Sequence, residues 1–221
     1  MLLAKSCHDM DIMMWMMSAT KPTQIASFGS KFQFKPENAP EGAGTICMKD
    51  CPYVDTCVYS TKRLYIDHPD RWAFYVWDAL EGKENPTIED KIELMKSDSP
   101  YARCIYKCDN DVVDHQSVLI NFASGATGTL NMIGGSAEPR RDIHIIGTKG
   151  EIFGNFEESK FTVLKIDPSP EAHHEECDVE EVDLKVTGDM VGAYGGHGGG
   201  DERLAADFVK FIRGEKPSLA C

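Results

Sequence analysis

The 221-residue sequence has no apolar run approaching ~20 residues, so no membrane span is expected. Its opening, MLLAKSCHD, meets charge after only two leucines, and Asp9 and Asp11 interrupt the methionine-rich block at 12–17, so no secretory signal is expected and a cytoplasmic setting follows. Positive charge is scarce. Against 36 Asp and Glu stand 23 Lys and Arg, a formal charge of −13, and the basic residues form no stripe, which excludes nucleic acid as a partner. The glycine tract GAYGGHGGG fits GxGxxG in no register and follows no βαβ pattern, so this chain alone is expected to bind no dinucleotide. There is no repeat with a period of ~20 to 50 residues and no CxxC pair. Eight unevenly spaced cysteines in a chain of this length imply free thiols or a metal site rather than a disulfide framework.

What is present begins with Leu3 to Met17, LAKSCHDMDIMMWMM, which reads as a helix with a polar start. At about 3.6 residues per turn, Ala4, His8, Asp11 and Trp15 fall on one stripe, with Lys5 about one turn before His8. A carboxylate raises and a cation lowers an imidazole pKa, so such a face can tune a proton-transferring histidine. TQIASFGS reads as a strand, and residues 35 to 57 as a long irregular segment. Within that segment Cys47-x3-Cys51-x5-Cys57 could hold zinc if a fourth ligand, such as Cys7, Cys104, Cys108 or a histidine, joined them. The aromatic-rich stretch at 60–81 is expected to be helical after Pro69 and to pack its rings inward. A second helix, Pro86 to about Lys96, should carry an apolar stripe of Ile88, Ile92 and Met95.

From Arg103 the pattern turns to strands: RCIYKC, HQSVLINF, ATGTLNMI, RRDIHIIG, GEIFGNF, KFTVLKI and VEEVDLKV. Short turns imply antiparallel pairing, and flanking helices should cover one face, giving an α+β fold with one mainly antiparallel, open-faced sheet. Arg140 and Arg141 would alternate across one of these strands. His115, just before a strand, and His197 with Asp201, at the start of a last helix, are further candidates for holding a substrate.

KSCHDMDIMMW resembles the KxCHDxDxxxW signature that opens the substrate domain of Gfo/Idh/MocA oxidoreductases. CPYVDTCVYSTKRLY, SPYARCIYKCDNDVVDHQ, RRDIHIIGTKGEI and GHGGGDERLAADFV are similar to later stretches in the same order. The resemblance implies a substrate-binding and oligomerisation domain over residues 1–221, without its N-terminal nucleotide-binding domain and truncated at both ends. It implies a parent enzyme that moves hydride between NAD or NADP and a sugar or polyol hydroxyl, and a homo-oligomer. His8 would be the catalytic histidine and Asp11 a carboxylate holding sugar hydroxyls. Where many members have an aspartate four residues before the histidine, this chain has Ala4, so Lys5 is expected to substitute. The triplet Glu215-Lys216-Pro217 resembles one that carries a catalytic lysine in the nucleotide domain, but it follows the last helix here and takes no such role. Related functions also implied are an NAD-dependent glycosidase or a sugar-sensing regulator, and the cysteine spacing keeps a zinc-binding module open as a further alternative.

Overall fold

The computed structural model describes residues 5–68, 73–169, 178–183 and 200–215. The chain divides into two compact units, 1–135 and 136–221.

In the first unit, helix α1 (Cys7–Met16) precedes strand β1 (Pro22–Ser30), which pairs antiparallel with β2 (His115–Phe122), and β2 pairs antiparallel with β3 (Thr127–Ile133). Alternation sets the two faces of this sheet. Val118, Ile120 and Phe122 are buried and Leu119 is exposed, because the methionines of α1 lie against the even-numbered residues of β2. Among the described residues β1 pairs with β2 alone, and all nine of its residues are exposed, Ile25 and Phe28 included.

The 84-residue stretch between β1 and β2 is largely irregular. It contains the single turn α2 (Cys47–Asp50), α3 (Ala73–Asp78) and α4 (Ile88–Leu94). A capping box starts α4: the Asp90 N–H donates to Thr87 Oγ1, and the Thr87 N–H donates to Asp90 Oδ2 at 2.9 Å. A small core of Val76, Met95 and Ala102 is joined by Ile46, Met48, Tyr65, Ile66, Leu94 and Tyr101. The expected α4 stripe holds at Met95, which is fully buried, but Ile88 is exposed. In its place Lys91 is buried, its ammonium 4.6 Å from the centre of the Trp77 ring. That contact lets a long aliphatic stem do the work of an apolar residue.

The second unit is a four-stranded antiparallel meander, β4 (Asp142–Gly147), β5 (Gly150–Asn155), β6 (Lys160–Lys165) and β7 (Asp178–Asp183), with helix α5 (Gly200–Ile212). The α+β class and the antiparallel pairing are therefore as expected from sequence. The single sheet is not, since the strands divide into sheets of three and four. RCIYKC is no strand either: the N–H groups of Lys107 and Cys108 both return to the Cys104 carbonyl, closing a turn. Arg140 and Arg141 lie before β4 rather than alternating within it, and they pair with Asp142 and Glu157 respectively.

Candidate active site

Around α1 four methionines and the polar residues take different faces, with Met16 left exposed. Met10, Met13, Met14 and Met17 pack on Val118, Ile120 and Phe122, while His8, Asp11 and Trp15 are exposed, Trp15 by 66%. These three follow one another at helical spacings of three and four, so an imidazole, a carboxylate and an indole line one solvent-facing stripe on a helix fixed from behind. Lys5 and Cys7, just ahead of His8, are exposed too. Asp9, in the first turn, lies where the helix dipole favours a carboxylate. Chemically the stripe offers a proton acceptor, a hydrogen-bond acceptor and an apolar plane.

His115 is not part of that stripe. It shares odd-numbered parity with the exposed Leu119 of β2, on the face of the sheet opposite the one α1 covers. Period-two alternation thus puts His115, a further candidate from the sequence, on the face away from α1. Across the β1–β2 ladder His115 faces Ser30, with His115 Nε2 3.5 Å from Ser30 Oγ. Its Nδ1 lies 3.2 Å from Asp114 Oδ1, and Phe32 meets the ring edge-on at 5.8 Å. Asp114 itself is buried and accepts the backbone N–H groups of Phe32, Gln33 and Phe34 at 2.9, 2.6 and 2.9 Å. Burial alone would push its pKa up. The N–H donors of Phe32 and Phe34, with His115 and the Gln33 N–H, outweigh it and hold the carboxyl well below the usual range. Neither Asp114 nor Ser30 was a sequence candidate. The acid adjacent to His115 in DVVDHQ was the signal for the first, whereas Ser30 becomes a partner only through strand register.

Cys47, Cys51 and Cys57 line one cavity together with Cys104. Cys47 is buried, the other three are half-buried, and all four are free thiols. Cys47 Sγ accepts the Thr61 N–H at 3.4 Å and lies 3.7 Å from Ser60 Oγ. Among the described residues, no three His, Cys, Asp or Glu side chains stand as a ready-made metal-ligand set. His197 lies outside the described residues. Asp201 falls in the first turn of α5, and its side chain likewise lies outside them. No helix of the described residues is long and apolar enough to cross a membrane.

No family model and no curated protein matches the chain. Solved structures do, and those described next are of the Gfo/Idh/MocA type. Levoglucosan dehydrogenase, in complex with NADH and levoglucosan, matches at 24% identity and a TM-score of 0.28, over 33% of this chain and 20% of its own. The super-repressor mutant of Gal80p from Saccharomyces cerevisiae matches at 12% identity and a TM-score of 0.49, over 99% of this chain and 38% of its own. An oxidoreductase domain protein from Kribbella flavida matches at 15% identity and a TM-score of 0.49, over 99% of this chain and 44% of its own. The chain thus spans less than half the length of each.

Proposed function

We propose that this chain is the substrate-binding domain of a Gfo/Idh/MocA-type oxidoreductase acting on a sugar or polyol hydroxyl, with His8 as the proton acceptor. The exposed His8–Asp11–Trp15 stripe carries the proposal, and the ordered motifs of the sequence support it. A polyol presents hydroxyl groups and C–H faces. Asp11 accepts hydrogen bonds from the hydroxyls, Trp15 offers its ring to a C–H face, and the neutral imidazole of His8 takes the proton of the reacting hydroxyl. Lys5, exposed nearby, stands in for the carboxylate that Ala4 does not supply.

The described residues do not fit a dinucleotide. Among the described residues every strand pair is antiparallel, unlike the parallel sheet that carries a dinucleotide fingerprint, and the glycine tract lies outside them. NAD or NADP would be held by a nucleotide-binding domain of the whole protein, and the work of these residues is confined to the hydroxyl and its proton. The outer face of the first sheet, with Phe28, Leu119 and Ile133 exposed, suits contact with a second copy.

The test is made on the whole enzyme. His8→Ala should cut turnover by about 10²- to 10⁴-fold with cofactor affinity unchanged, and Asp11→Asn should act mainly on KM. A His8→Ala enzyme with near-normal turnover and an unaltered pH profile would remove α1 from the chemistry.

A further inference from the structure

The cavity among Cys47, Cys51, Cys57 and Cys104 plays no part in handling a hydroxyl and lies outside α1. It is small, about 20 Å³, room for one water-sized guest. That size excludes an organic ligand and leaves a water or a single ion. Thr61 also lines the cavity. Its hydroxyl is buried without any hydrogen-bond partner, although its N–H is spent on Cys47. A buried hydroxyl left unsatisfied is costly, so the cavity suits a guest that can accept from Thr61 or reorganise its neighbours.

The backbone around it is tightly fixed. An antiparallel bridge joins Ile46 to Arg103, and the Cys104 N–H donates to the Thr45 carbonyl at 2.8 Å, so the turn starting at Cys47 and the turn starting at Cys104 begin side by side. Asp50 locks the first turn by accepting the N–H groups of Thr45 and Ile46 at 3.1 and 2.8 Å. Gly44 allows that fold-back, because a Cβ there would stand 2.6 Å from the Asp50 carbonyl.

The sulfurs are also dressed in a particular way. Cys47 accepts one backbone N–H, that of Thr61 at 3.4 Å, and such a donor favours a thiolate over a thiol. Several thiolates can share this space only around a cation.

We infer that Cys47, Cys51, Cys57 and Cys104 bind one zinc ion as a tetrahedral thiolate set. Cysteine-only ligands and a one-atom cavity select this ion class. The four cysteines line one cavity but do not stand as a ready-made ligand set among the described residues, so binding asks their side chains to turn. One step between χ1 wells swings a cysteine sulfur by roughly 3 Å. Four S–H protons leave to solvent as four Zn–S bonds form, and no electron is transferred. Thr61 Oγ1 then has a thiolate to donate to. Lys107, which donates to the carbonyl of the lining residue Ala43, offsets part of the net negative charge, while Arg103 on the lining is already paired with Asp98 and Asp109. Cys108 is not in the set, its Sγ donating to the Ile105 carbonyl at 3.3 Å.

The experiment is a titration of the full chain, reduced and freed of metal, with Co²⁺ and then Zn²⁺. The expected result is a thiolate-to-cobalt charge-transfer band that saturates at one equivalent and is displaced by zinc. Cys57→Ser and Cys104→Ser should each weaken zinc binding by more than the roughly 10- to 100-fold cost of losing an outer-shell partner, with Cys108→Ser unchanged. Should those variants fail to fold, alkylation of the unmodified chain with and without zinc gives the answer. Zinc should protect Cys47, Cys51, Cys57 and Cys104 while Cys7 and Cys108 still react. The absence of a charge-transfer band in excess cobalt, or protection falling on other cysteines, would overturn the inference, and water would then be the guest.

Discussion

Met13 of α1 lies directly over Gly128 of β3: a Cβ added to the glycine would stand 2.7 Å from the methionine sulfur and 3.5 Å from the Phe122 ring. Helix α1 therefore rests on the sheet where the sheet has no side chain. Gly128→Val should force the Met13 side chain aside and lower stability by about 1 kcal/mol, the low end of overpacking costs, because the atom it meets ends a flexible side chain. Urea unfolding of the chain measures this, and an unchanged midpoint would mean that α1 docks by other contacts.

Asp114 makes the first unit acid-sensitive. Its folded pKa lies below the unfolded value of about 3.9, so the unfolded chain takes up the proton first. The stability it contributes is complete well above that value, and it is lost as pH falls through the unfolded value toward the folded one. Asp114→Ala leaves the N–H groups of Phe32, Gln33 and Phe34 without their acceptor and should cost roughly 3 kcal/mol at neutral pH. Unfolding curves at pH 7 and pH 3 should converge for the variant relative to the parent.

Trp15 reports on what covers α1. At 66% exposure its fluorescence in the isolated chain should be readily quenched by acrylamide. In the whole enzyme with substrate, the component lost on Trp15→Phe should be shielded. Trp15→Ala should raise KM more than it lowers kcat, because a stacking plane binds ground and transition states alike.

Leu119, on the outer face of the first sheet, is half exposed, so Leu119→Lys should change stability by no more than about 0.5 kcal/mol. If that face meets a second copy, the substitution should lower the mass seen by light scattering. Equal masses for parent and variant, both above monomer, would place the interface elsewhere.

How far the sequence reveals this molecule depends on the range of the cause. Strands β2 to β6 are visible because their alternation is local, and the split of α1 into a methionine face and a His8–Asp11–Trp15 face follows from a 3.6-residue period. Lys91 defeats pattern reading because its burial depends on Trp77, fourteen residues away. Cys104 to Cys108 looks like a strand by composition, yet the Cys104 carbonyl draws both following N–H groups into a turn. The pairing of His115 with Ser30, and its separation from His8, are products of register and parity. The partition of the strands into two sheets comes from a break after Gly135 that no residue pattern announced.

The nine exposed residues of β1 have a consequence for handling the protein. Within Pro22–Ser30 there is no charged side chain, and the edge of β1, which has no strand partner among the described residues, offers backbone groups and apolar rings to any other extended chain. Lys21 and Lys31 bracket the segment as gatekeepers at its two ends. Their repulsion weakens as salt screens it. Edge-to-edge aggregation should therefore be the characteristic failure of this chain in concentrated, high-salt preparations, and it would begin at the strand between those two lysines.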